Sequence, residues 1–218
     1  MSSRIGRVLA LSAGLGAAAL LCAAQAQAAT TWTVKAGSAG SGKTVAITGK
    51  TIGTTPQIHF KDATSGQTLT CNSGTAPGTT KVGKGRSGTA IGHINGPKTT
   101  WNTCTGPAGL KFNVTGINTW NLNASSYAAP VTKGSITNVK ATVVDKGVCS
   151  FTVTGMVAVS YSNKTHVLTV PGTKATLKIS GVSGCLGIIN NGDHASFNGK
   201  YKLTANTKAF NPITITSP

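Results

Sequence analysis

From residue 30 onward the apolar side chains of this chain recur at every second position, and no stretch spaces them at the three-or-four interval of a helix face. Phe151 to Tyr161 is the clearest run. Phe151, Val153, Val157, Val159 and Tyr161 point one way, while Thr152, Thr154, Ala158 and Ser160 point the other. The pattern returns in Leu110 to Val114 and in Trp120 to Ala124. It appears again in Ile58 with Phe60, Val139 with Ala141 and Val143, and Leu177 with Ile179. Turn chemistry separates the runs at Ala76-Pro77-Gly78, Asn95-Gly96-Pro97, Pro171-Gly172 and Asn190-Asn191-Gly192-Asp193. Most runs are about five residues long, which suits short strands with one apolar and one polar face. The expectation is an all-β chain, an antiparallel β-sandwich or a small β-barrel.

The chemistry open to such a chain is narrow, because it contains no glutamate. Three aspartates (Asp62, Asp145, Asp193) stand against 20 lysines and arginines, a formal net charge of +17. Paired carboxylates for glycoside hydrolysis and multi-carboxylate calcium loops are therefore hard to assemble. Charged residues make up only 11% of the chain, against about 25% in ordinary proteins. The basic character thus reflects missing acids, and a mostly Thr/Ser/Asn/Gly surface with a weak positive bias is expected.

Residues 1–28 read as a secretory signal peptide. Arg4 and Arg7 supply positive charge, Val8 to Leu21 an apolar stretch, and Ala26-Gln27-Ala28 a small-x-small cleavage pattern. Leu21 is too large for the residue before a lipidated cysteine, so Cys22 is expected to leave with the leader. The apolar stretch is short for a membrane span, and no later segment is apolar enough for one. Residues 29–218 are then expected to form a single all-β domain holding Cys71, Cys104, Cys149 and Cys185. An even count in an exported chain implies two disulfides. Of three possible connectivities we favour Cys71–Cys104 with Cys149–Cys185, each worth about 3–4 kcal/mol by chain entropy. Phe112-Asn113-Val114-Thr115-Gly116 echoes Phe151-Thr152-Val153-Thr154-Gly155. The echo could record two similar β halves, about 29–128 and 129–218, or composition alone.

Several motifs invite chemistry. Gly37 to Thr44 matches the phosphate-loop pattern G-x-x-x-x-G-K-[ST], but the β-branched Thr44-Val45-Ala46-Ile47 that follows is a poor helix start. We read it as a turn, with no nucleotide. Asp193-His194, with Ser196 close by, is where a hydrolase reading would begin. Alternation sends Asp193 and His194 to opposite faces, and Asn191-Gly192-Asp193 also reads as a turn. His59, His93 and His166 stand singly, and the cysteines lack metal spacing, so neither a metal nor a cofactor is expected. Lys84-Gly85-Arg86 and the neighbours Phe60-Lys61, Lys111-Phe112 and Tyr201-Lys202 could face nucleic acid. Alternation instead buries each ring and solvates each lysine, and export removes nucleic acid as a physiological partner.

From about residue 65 onward the chain resembles a group of exported actinobacterial proteins without known activity. The residues that carry the likeness are Cys104 to Leu110, Trp120 to Ala124, Gly184 to Asn190 and Ile213 to Pro218. The resemblance implies a small exported, cystine-containing β protein. Together these readings lead us to expect a secreted or cell-envelope-associated, non-enzymatic protein that binds by its surface, weakly, to anionic envelope polymers. The alternatives are a hydrolase using Asp193 and His194, or a membrane pore. Short runs and few aromatic residues weigh against a pore.

Overall fold

The computed structural model describes residues 30–145 and 147–218. The leader over residues 1–28, Cys22 and the cleavage point before Ala29 lie outside the described residues. Among the described residues fifteen strands follow one another: β1 (Trp32–Ala36), β2 (Thr44–Thr51), β3 (Ile58–Asp62), β4 (Thr68–Lys81), β5 (Gly83–Arg86), β6 (Gly92–Asn95), β7 (Thr100–Thr105), β8 (Lys111–Gly116), β9 (Thr119–Ala128), β10 (Val131–Asp145), β11 (Cys149–Ser162), β12 (Val167–Pro171), β13 (Leu177–Ser183), β14 (His194–Ala205) and β15 (Ile213–Thr216). Single 3-10 turns occupy Gly96–Lys98, Pro107–Gly109 and Lys208–Phe210. Among the described residues, no helix is long and apolar enough to cross a membrane.

Twelve strands form one antiparallel sheet, arranged as a sandwich whose edges are joined into a ring. At one level the hydrogen-bonded neighbours run β10, β11, β12, β14, β2, β4, β6, β9 and back to β10. At the other they run β10, β11, β13, β14, β3, β4, β7, β8 and back to β10. Closure leaves neither level with an open edge. β4, β10, β11 and β14 belong to both levels and exchange partners at mid-length.

These four strands are 12 to 15 residues long, which corrects the expectation of short strands throughout. It also corrects the turn expected at Ala76-Pro77-Gly78, which lies inside β4. Pro77 falls between Thr75, paired with β7, and Gly78, paired with β6. A missing N–H is tolerated in such a gap in the ladder. Gly78 is required there: a Cβ would sit 2.1 Å from the carbonyl oxygen of His93 on β6. β10 makes its own adjustment by a bulge. Its register against β11 slips between Ile136 and Val139, and Asn138 takes a left-handed φ of 59°. Asn is among the few residues that adopt this conformation readily. The extra residue brings both Ile136 and Val139 to the inner face, while the Asn138 amide donates to the Thr119 carbonyl at 2.9 Å.

The inner face is the apolar face of every run read from the sequence. Phe151, 2% exposed, lies between Phe60 and Phe112, with ring centroids 6.1 and 6.3 Å away. Each such side chain contributes about 1.5–3 kcal/mol on burial. The ring is not filled completely: an apolar cavity of about 110 Å³ remains at its centre. The described lysines are exposed on the outer surface. A membrane-spanning barrel needs the reverse, an apolar exterior band around a polar lumen.

The small sheet, in the order β15, β1, β5, packs on the ring through Ala36, Val45, Ile47, Val82, Ala205 and Ile213. The edge of β15 that does not pair with β1 is met by side chains. Tyr161 Oη donates to the Ile213 carbonyl at 2.7 Å, and Thr132 Oγ1 donates to the Ile215 carbonyl at 2.6 Å. The Asn163 amide acts as a strand would. Its Nδ2 donates to the Ile215 carbonyl at 2.8 Å, and its Oδ1 accepts from the Ile215 N–H at 2.9 Å.

Both expected disulfides are present. Cys71 and Cys104 face each other directly across β4 and β7, with Cα atoms 4.0 Å apart. Cys149, at the start of β11, joins Cys185 in the loop after β13, with Cα atoms 4.4 Å apart. The two echoing segments lie on either side of β10, where Val143 is paired with Val114 on β8 and with Phe151 on β11.

Candidate functional site

β14 shows how alternation builds a surface. Ala195, Gly199, Tyr201, Leu203 and Ala205 are buried, whereas His194, Asn198, Lys200, Lys202 and Thr204 are exposed. Neighbouring strands add to the outer row in register. Lys178 of β13 stands opposite His194, and Lys61 and His59 of β3 stand opposite Ser196 and Asn198. Lys50 of β2 stands opposite Lys202. Five lysines and two histidines thus form a stripe that spans roughly 26 Å along β14, at about 3.3 Å per residue.

Asp62 follows Lys61 and Asp193 precedes His194 in the chain, but the carboxylates of all three aspartates are taken up by backbone amides. Asp62 is 1% exposed, and its carboxylate accepts from Thr64 N (2.8 Å), Ser65 N (3.3 Å) and Ser65 Oγ (2.9 Å). It closes the turn after β3. Asp193 is 8% exposed and accepts from Asn190 N at 2.8 Å. Asp145 accepts from Lys111 N at 2.7 Å. Like charges placed directly opposite, as in Lys50 and Lys202, weaken a sheet. Lys202 relieves this in part by donating from Nζ to the Thr165 carbonyl at 2.6 Å. The arrangement can hold a flexible or extended polyanion along the strand direction.

No family model matches this chain, and neither does any curated protein or solved structure.

The residues marked by the sequence fall as follows. Asp193 is buried and committed to its turn, while His194 is exposed on the outer face, so the structure does not bring them together around Ser196. The phosphate-loop match is the β1–β2 connection, and it opens into β2, a strand. Gly42 N donates to the Val82 carbonyl at 2.8 Å, and Lys43 Nζ rests 4.5 Å from the centre of the Phe210 ring. Among the described residues no group of three His, Cys or acidic side chains gathers as a metal site. His93 Nδ1 meets Asn121 Oδ1 at 3.1 Å, and His166 sits in the turn before β12. Phe60, Phe112 and Tyr201 are buried, while Lys61, Lys111 and Lys202 are exposed, so these rings offer no stacking surface. Lys84-Gly85-Arg86 lies on β5, at the edge of the small sheet.

Sequence reasoning did not single out Lys50, Lys178 or Lys200. The local signal was the alternation Lys200-Tyr201-Lys202, which places two lysines on one face. Lys50 and Lys61 come from strands more than a hundred residues away and Lys178 from the strand before β14, and only the register unites them.

Proposed function

We propose that the protein is exported and acts at the cell envelope as a non-enzymatic binding protein. In this reading it holds anionic polymers such as teichoic acids against the outer face of β14 and its neighbours. The observation that carries this is the outward row of Lys50, Lys61, Lys178, Lys200 and Lys202, alongside three aspartates whose carboxylates are all engaged by backbone amides. The leader pattern of residues 1–28 supports export. Two disulfides fit an oxidising compartment.

The test is retention on isolated cell walls at rising salt. The protein is compared with a variant carrying Gln at Lys50, Lys61, Lys178 and Lys200, and with a control carrying Gln at Lys84, Lys98, Lys164 and Lys174. Both variants lose the same charge. Retention should fall with salt, and the stripe variant should release at lower salt than the control. Retention indifferent to salt would end the electrostatic reading. Equal release of the two variants would assign the attraction to net charge and remove the stripe from it.

A further inference from the structure

Protein interiors are packed like organic crystals, with few voids larger than a water molecule. The cavity of about 110 Å³ at the centre of the ring departs from that rule. Its walls are the apolar faces of strands from both levels, including Phe60, Ala141, Val157 and Leu203. Apolar cavities of this order stay dry and take up small hydrocarbons.

Trp101 on β7 and Tyr201 on β14 are among the residues that line the same cavity. Trp101 packs against Trp120, with ring centroids 6.0 Å apart and planes tilted by 33°, and its buried Nε1–H has no hydrogen-bond partner. A buried donor without an acceptor costs stability. Burial pushes the Tyr201 hydroxyl above its ordinary value and the nearby Trp101 N–H acts against that rise, but the pair falls short of a hydrogen bond. A residue lining an apolar chamber thus carries a buried donor without an acceptor.

We propose that the interior of the ring is a binding site for one small, mostly apolar molecule bearing a single hydrogen-bond acceptor, such as a ketone, which accepts from Trp101 Nε1–H. The apolar walls supply the affinity, and the indole N–H sets orientation and chemical preference. This site is independent of the lysine stripe, which lies on the other face of the same strands.

Cyclohexanone and methylcyclohexane are suitable probes, because they differ mainly in the acceptor. Titration of the mature protein is followed by NMR at the Trp101 indole N–H, assigned with Trp101→Phe. Cyclohexanone should move that resonance saturably, as methylcyclohexane should not. In Trp101→Phe ketone binding should weaken about fivefold, with methylcyclohexane binding retained. Ala141→Leu, which fills the cavity, should abolish both, and Val157→Ile should weaken both if the larger change prevents folding. An indole resonance indifferent to saturating ketone, or undiminished binding in both filled variants, would overturn the proposal.

Discussion

Asn163 offers the most direct test of how the ring is capped. Its side chain replaces a strand along the edge of β15, giving and receiving one hydrogen bond at Ile215. Asn163→Ala removes both. The Ile215 carbonyl keeps the Thr132 hydroxyl, so its loss is modest, about 0.5–1 kcal/mol. The Ile215 N–H fares worse. Ile215 is only 4% exposed, and a buried donor without an acceptor costs about 1–3 kcal/mol. The expected destabilisation is about 2–3 kcal/mol, which in a chain of this size lowers Tm by about 5–10 °C. Urea unfolding should show a lower midpoint with an unchanged slope, because the surface exposed on unfolding is the same. Amide exchange at Ile215 should quicken selectively, while Phe151 and Ile179 at the ring centre keep their protection. A loss below about 0.5 kcal/mol, with Ile215 still protected, would show that β15 does not need this side chain and would refute the argument.

Two further outcomes can be measured. Replacing Cys71 and Cys104 together by Ala opens a loop of 33 residues; chain entropy sets the loss at about 3.7 kcal/mol, read from the denaturant midpoint. A loss under about 1 kcal/mol would mean that this disulfide confines the unfolded chain little. Burial pushes the Tyr161 and Tyr201 hydroxyls well above the ordinary tyrosine value near 10. The stabilisation this represents is complete below about pH 10. Above it the unfolded chain sheds protons that the native chain keeps, so stability falls as pH rises, by up to about 1.4 kcal/mol per pH unit for each tyrosine. Alkaline unfolding should be shallower in Tyr201→Phe. An unfolding profile with the same slope in that variant would count against the burial of this hydroxyl.

Much of the fold was legible because alternation is a local property. Ile58 with Phe60, Trp120 with Leu122, and Phe151 through Tyr161 turn inward as their spacing requires. The disulfide pairing was legible too, since each favoured pair joins cysteines near one another along the chain. What escaped was set by partners far away in sequence. Ala76-Pro77-Gly78 has the composition of a turn, yet two sets of partners hold it in the middle of a strand. The bulge at Asn138 changes which parity faces inward, and no local signal separates that from a strand end. The lysine stripe depends on the register of β2, β3 and β13 against β14. The cavity depends on volumes summed across the ring, so no single run of residues announces it.

Ring closure also dictates the order in which this chain can become stable. β14 completes both levels, and its partner β2 lies about 150 residues earlier. Until residues 194–205 arrive, β2 and β3 carry open edges that can pair with any other extended chain. Pairings over such distances are slow to form, on the scale of milliseconds to seconds. A chain made from its N-terminus therefore passes through a period when most of its strands are present and the ring is not. Loss of β14 would leave no smaller ring to fall back on, and truncations before Ala205 should give aggregates in place of shortened domains.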